Sequence, residues 1–195
     1  GYDSIHIDLS KLPFNENIEG TKKIVEYVKS KNPDVEVEAE LGYLVTDSSK
    51  IYNEVIEIPE DSYTKVDEAV SFVEQTHIDR FAPAVGNMHG IALNDKVIRF
   101  ELIEQLRKAL PETLTFTIHG GSGIHDEDIK KMVQMGFNNA HISTELRQAY
   151  TLALRRFLNE NPDELSPQVY EAPARAAAEA LAEEKMRLYN TVNVL

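Results

Sequence analysis

The sequence predicts an α/β fold, a (β/α)8 barrel of which this chain carries strands 4–8 and the C-terminal helices, on three observations. Short apolar, β-branched runs alternate with amphipathic helical segments, the pattern of a parallel sheet covered by helices. The chemically capable side chains fall at or just past the C-terminal ends of successive runs, where barrels of this type build their sites. The last two units hold the most phosphate-compatible turns, and barrel phosphate sites commonly follow strands seven and eight. On that count the first strand here is the fourth, and three strands are expected before Gly1.

The strand candidates are Ser4–Leu9, Val35–Glu40, Arg80–Val85, Leu114–Ile118 and Ala140–Ile142, each followed by polar or glycine-containing residues. Between them, Ile24, Val25 and Val28 mark one helical face, and Val66, Ala69, Val70 and Val73 a second. Ile103, Leu106 and Leu110 mark a third, and Ile129, Met132 and Val133 a fourth. After Thr144 the pattern is purely helical: Glu145–Asn161 stops before Pro162, and an alanine-rich helix follows from about Pro173 to Tyr189. The expected organisation is one domain segment, residues 1–195, with β/α units over 1–144 and helices over 145–195.

Composition narrows the function. With no cysteine there is no disulfide frame and no thiolate ligand or nucleophile. A net charge of −13 argues against nucleic acid, whose binding rests on lysine and arginine, but leaves room for a small phosphorylated ligand that needs only local donors. No run approaches the roughly 20 apolar residues of a membrane span, and no signal peptide opens the chain. No membrane partner is expected, and a cytoplasmic protein is the default.

The most informative stretch is His119-Gly120-Gly121-Ser122-Gly123, after the run Leu114–Ile118 and before a helix opening at Asp126. A histidine at a strand end can hold a metal, and glycine and serine amides can approach a phosphate closely. Asp8, Glu38, Glu40, His89 and the His141–Thr144 stretch lie at the same rim. Glu38 and Glu40 are two residues apart and point to the same side of their strand.

These residues carry a family resemblance. Ile7-Asp8 with Leu12–Asn17, Val37–Gly42, Gly86-Asn-Met-His-Gly90, His119–Ile124 and Thr144–Ala149 resemble, in that order, the class II, metal-dependent fructose-bisphosphate aldolases and their tagatose-bisphosphate relatives, from Gly1 to Tyr189. The resemblance implies a zinc-dependent lyase of carbohydrate metabolism and glycolysis, a homodimer or homotetramer. It would cleave a ketose 1,6-bisphosphate, fructose 1,6-bisphosphate foremost, to dihydroxyacetone phosphate and an aldehyde phosphate. By the same resemblance His89 and His119 are zinc ligands. Asp8 and Glu40 are carboxylates near the metal able to hold a second divalent or a monovalent cation, with Glu38 in reserve. The phosphate is expected on Gly90, Gly120, Gly121, Ser122, His141, Ser143 and Thr144, and a second phosphate on Arg175. The acid/base aspartate and the first zinc ligand, an Asp-His pair, are expected upstream of Gly1, so this polypeptide alone is not expected to catalyse.

Departures from the family pattern bear on function. His141 stands where asparagine is usual, and the glycine-rich acidic loop after Gly42 is replaced by Tyr43–Lys50 and a run to Pro59. Glu54 or Glu57 are the substitutes available for that loop's proton-shuttling glutamate. Leu93 takes the place of a lysine, with Lys96 three residues on. The alternatives are a non-catalytic aldolase-like paralogue acting as a binding or assembly module, and a metal-independent sugar-phosphate isomerase or epimerase barrel whose histidines act as acid and base.

Overall fold

A computed structural model describes residues 1–191, so the last four residues of the 145–195 segment lie outside the described residues. Five parallel strands, β1 (Ser4–Ile7), β2 (Glu36–Leu41), β3 (Arg80–Pro83), β4 (Thr115–Ile118) and β5 (Phe137–Ala140), pair in strictly sequential order. That order is the one a (β/α)8 barrel uses; a doubly wound sheet would reverse at a switch point. Helices α1 (Phe14–Lys31), α2 (Val66–Thr76), α3 (Phe100–Ala109) and α4 (Asp126–Gln134) form the four crossovers. Beyond β5, α5 (Thr144–Glu160) packs along α7 (Ala172–Leu188), with the short α6 (Pro167–Tyr170) between them.

Strand alternation separates two faces. Val37, Ala39 and Leu41 of β2, Phe81 of β3, Phe116 and Ile118 of β4 and Phe137 of β5 belong to one buried cluster with Phe72, Ile103, Leu106, Ile129 and Met132 from the helices. An aromatic file runs through it: Phe72 to Phe81 at 6.4 Å between ring centroids, Phe81 to Phe116 at 5.7 Å and Phe116 to Phe137 at 5.4 Å. The intervening positions form the opposite, polar face. Register places His6 level with Glu38, Glu38 with Arg80, Glu40 with Ala82, and Thr117 with Asn139.

The structure shifts some strand boundaries. β1 stops at Ile7 rather than Leu9 because the Asp8 carboxylate turns back to accept from the backbone N–H of Ser10 and from its hydroxyl. The last strand is Phe137–Ala140, not Ala140–Ile142, and begins where two asparagines depress strand propensity. It forms because Phe137 packs on Phe116 while Asn139, on the other face, bonds Glu38 and Thr117. A register shift between Phe116 and Thr117 accommodates it.

Candidate active site

His119, the residue after β4, is held at both ring nitrogens. Its Nδ1 lies 2.6 Å from Glu40 Oε2 and its Nε2 2.8 Å from Glu38 Oε1, and all three side chains are almost fully buried. The second oxygen of Glu38 accepts from Thr117 Oγ1 at 2.7 Å and from Asn139 Nδ2 at 3.0 Å. Two further imidazoles flank the ring. His6 meets it edge-on with centroids 4.8 Å apart, and His141 stacks on it at 4.7 Å. His89 stacks at a longer 6.4 Å, its carbonyl accepting from Thr46 Oγ1.

Electrostatics follow from this packing. Burial works against the charged form of Glu38, yet hydrogen bonds from His119 and Thr117 and the nearby imidazoles bring it down to about 2. Burial would lower His119, but the two carboxylates raise it to about 9. His6, His89 and His141 lie below the usual histidine value, each chiefly through burial. Asp8 is held below the carboxylate range despite burial, mainly by its two bonds from Ser10.

The donors form two overlapping groups, His6, Glu40 and His119, and Glu38, His119 and His141, in each of which the candidate ligand atoms lie within 4.8 Å of one another. Imidazole and carboxylate suit zinc, and whichever His119 nitrogen takes an ion, the other keeps a carboxylate partner, the support that metal-ligating histidines commonly have. The residues therefore fit a metal. Of the ligands expected from sequence, His119 and Glu40 stand inside these groups, His89 beside them, and Asp8 outside both, at the exposed end of β1. Glu38, 2.8 Å from His119, also belongs to one of the groups, while Glu40 is the closer carboxylate at 2.6 Å.

His6, Thr117 and Asn139 escaped the sequence reading. Each sits two residues before a residue that reading had singled out, Asp8, His119 and His141, so strand alternation alone would have found them.

The turn after β4 lies beside this cluster. Gly120 has φ +58°, and a Cβ there would collide with the Met88 carbonyl, so this position requires glycine. Buried Ser122 accepts from the N–H of Glu145, and buried Thr144, opening α5, accepts from the N–H of Ser49. The Glu145 carboxylate accepts from the N–H of Gly123 at 2.7 Å and lies 2.9 Å from Lys185 of α7, so a carboxylate oxygen already occupies one amide of the turn. Gly90 follows His89, Ser143 is the N-cap of α5, and His141 is exposed with Nε2 3.4 Å from Asn139 Nδ2. Arg175 is exposed on α7.

The segment from Tyr43 to Pro59 is laced down. Ile51 bridges Ile91, Asn94 bonds both the N–H and the carbonyl of Ile56, and Arg147 reaches Ser49. Glu54 and Glu57 on it are exposed.

Comparison with known proteins identifies the family and the fold. The family model for class II fructose-bisphosphate aldolase matches residues 1–194. A fructose-bisphosphate aldolase of Staphylococcus aureus is 34% identical over 193 residues, 99% of this chain and 64% of the relative, and one of Staphylococcus epidermidis matches to the same extent. The chain thus spans about 64% of the length of these relatives. Among solved structures, the YdjI aldolase of Escherichia coli K12 superposes with a TM-score of 0.77 at 34% identity, over 97% of this chain and 61% of that one. A fructose-bisphosphate aldolase of Campylobacter jejuni shares the fold, with a TM-score of 0.71 at 22% identity over 96% and 59% of the two chains. Among the described residues no helix is long and apolar enough to cross a membrane. A family match running from the first strand through the last helix, over a sheet in barrel order with His119 clamped at its rim, places the chain in the class II fructose-bisphosphate aldolase family.

Proposed function

We propose that this chain supplies metal and phosphate ligands to a zinc-dependent aldolase cleaving a ketose 1,6-bisphosphate, fructose 1,6-bisphosphate foremost, to dihydroxyacetone phosphate and an aldehyde phosphate. The observation that carries the reading is His119, held by Glu38 and Glu40 immediately before the Gly120–Gly123 turn. A retro-aldol cleavage must stabilise an enediolate next to a phosphate, so metal ligands and phosphate donors have to be neighbours. A zinc ion at this cluster would act as the Lewis acid for the ketone oxygen.

The chain's own groups do the rest. Glu38 and Glu40 fix the His119 ring and its protons, with Thr117 and Asn139 fixing Glu38 in turn. The amides of the turn, the Ser122 and Thr144 hydroxyls and the positive end of α5 supply donors for the dihydroxyacetone phosphate group. Gly90, Ser143 and His141 complete its surroundings, and Arg175 is assigned to the second phosphate. Glu145 would yield the Gly123 amide to a phosphate oxygen and remain paired with Lys185.

Metal analysis of the full-length protein should find about one zinc per subunit, and a chelator should abolish cleavage reversibly. His119→Ala and His89→Ala should each lose tightly held zinc, because removing a protein ligand opens the site. Full zinc retained by either folded variant removes that residue from the metal site. Covalent trapping of substrate by borohydride would overturn the metal mechanism, since no lysine Schiff base is involved.

A further inference from the structure

Lys96 is the most unusual buried group outside this site. It is only 3% exposed, although lysine is almost never fully buried unless paired, and among the described residues no carboxylate pairs with it. Its Nζ instead donates to four backbone carbonyls: Met88 at 2.6 Å, Gly120 at 2.9 Å, Gly90 at 3.0 Å, and Ser122. Two of these belong to the turn after β3 and two to the turn after β4. Four acceptors converge on three N–H bonds, so at least one bond is shared. A convergence of backbone carbonyls is what proteins use to replace the hydration shell of a spherical monovalent cation.

We propose that Lys96 is a tethered monovalent cation: its ammonium fills a carbonyl cage sized for potassium or ammonium, and so locks together the two turns that carry His89 and His119. The cage also sets the direction of the turns' amides. In a planar trans peptide the carbonyl and the following N–H point opposite ways, so each carbonyl turned in toward Lys96 turns the next amide out. The amides turned out are those of His89, Ile91, Gly121 and Gly123. Gly123 donates to Glu145 and Ile91 to Lys50, as this geometry requires. Among the described residues no protein acceptor takes the amides of His89 or Gly121, which leaves them available to a ligand. Left-handed φ values at Gly90 and Gly120, +72° and +58°, allow the carbonyls to converge. Lys96 is thus a positioning residue. The cage stands without any functional reading; only its consequence for ligand binding rests on the proposed phosphate seat.

The test removes the charge and offers it back. Lys96→Met keeps the side chain to Cε and deletes Nζ, and Lys96→Ala leaves additional room. Thermal unfolding of the full-length protein and both variants would be measured in potassium, ammonium and choline chloride at equal ionic strength. Wild type should melt at the same temperature in all three. The variants should melt about 5–10 °C lower in choline and recover saturably with potassium or ammonium, while choline is too large to enter. If a variant is insoluble in choline, recovery of soluble protein in potassium or ammonium is the same result. Stability that is unchanged by the substitution, or that neither ion restores, overturns the proposal. Dihydroxyacetone phosphate affinity, read on the same samples, should fall about 10-fold in choline and return with the ion. Restored stability without restored affinity upholds the cage and rejects the phosphate seat, so the two failures are distinguishable.

Discussion

The two faces of this sheet are made by the same strands and obey opposite rules. One face, Val37, Ala39, Leu41, Phe81, Phe116, Ile118 and Phe137, is apolar and closed by helices. The other presents His6, Glu38, Glu40, Thr117, His119 and Asn139, of which Glu38, Glu40, Thr117 and His119 are as buried as the core. Burying an apolar side chain is favourable wherever it fits, whereas buried carboxylates are tolerable only with near-complete hydrogen bonding. The apolar face can therefore drift in sequence if volume is kept. On the polar face each group is held by another, so losing one strands its partners.

The largest effect should come from the apolar face. Phe116 is fully buried and contacts Phe81 and Phe137 in the aromatic file. Phe116→Ala should cost about 3–5 kcal/mol in urea unfolding, from lost transfer energy plus a cavity. A cost under 1 kcal/mol would mean that the two faces do not divide stability as described. Phe116→Leu, nearer in volume, should recover most of the loss.

The polar face should reveal itself through pH. Glu38 sits at about 2 and His119 at about 9 in the folded, metal-free chain, against 4.5 and 6.5 for the free groups. A raised histidine contributes stability that is complete below pH 6.5 and lost as pH rises through 9. A lowered carboxylate contributes stability that is complete above pH 4.5 and lost as pH falls through 2. Both describe one coupled cluster, so their contributions overlap rather than add, and about 3 kcal/mol should be at stake. The depressed histidines His6, His89 and His141 work the other way, adding stability as pH rises toward 6.5. A fall in metal-free stability between pH 6.5 and 9 is consequently the mark of His119, and its persistence in His119→Gln would remove the assignment.

How far each face could be read from sequence follows from the same contrast. Apolar periodicity located four strands and all four crossover helices, because the covered face is repeated in every unit. β5 was misplaced since Asn138 and Asn139 read as loop; their strand is held by Phe137 on one side and by the Glu38 bond on the other, neither visible locally. Motifs point to His119 and Glu40 of the donor cluster and to His89 beside it, whereas His6 and Thr117 belong to no motif and follow only from the alternation of their strands. Lys96 was hardest, since its partners are main-chain carbonyls 6 to 26 residues away in sequence and have no side-chain signature.

The smallest effect tests whether the turn at the rim binds anything. Ser122 and Thr144 each accept one bond from a backbone N–H, which leaves each hydroxyl proton available to donate to a phosphate oxygen. A hydrogen bond to a charged group contributes roughly 1.5–3 kcal/mol. Ser122→Ala and Thr144→Ala should therefore each weaken dihydroxyacetone phosphate binding by about 10- to 100-fold. Stability should drop much less than in Phe116→Ala, because the residues lost are small and polar. Zinc content should not change, since neither hydroxyl is among the proposed ligands, which are imidazoles and carboxylates. Phosphate binding also holds the ketone in place, so turnover should fall along with affinity. Variants that fold, keep zinc and both bind and cleave like wild type would show that these hydroxyls only cap a turn, and the buried polarity at this end of the sheet would then be structural rather than ligand-binding.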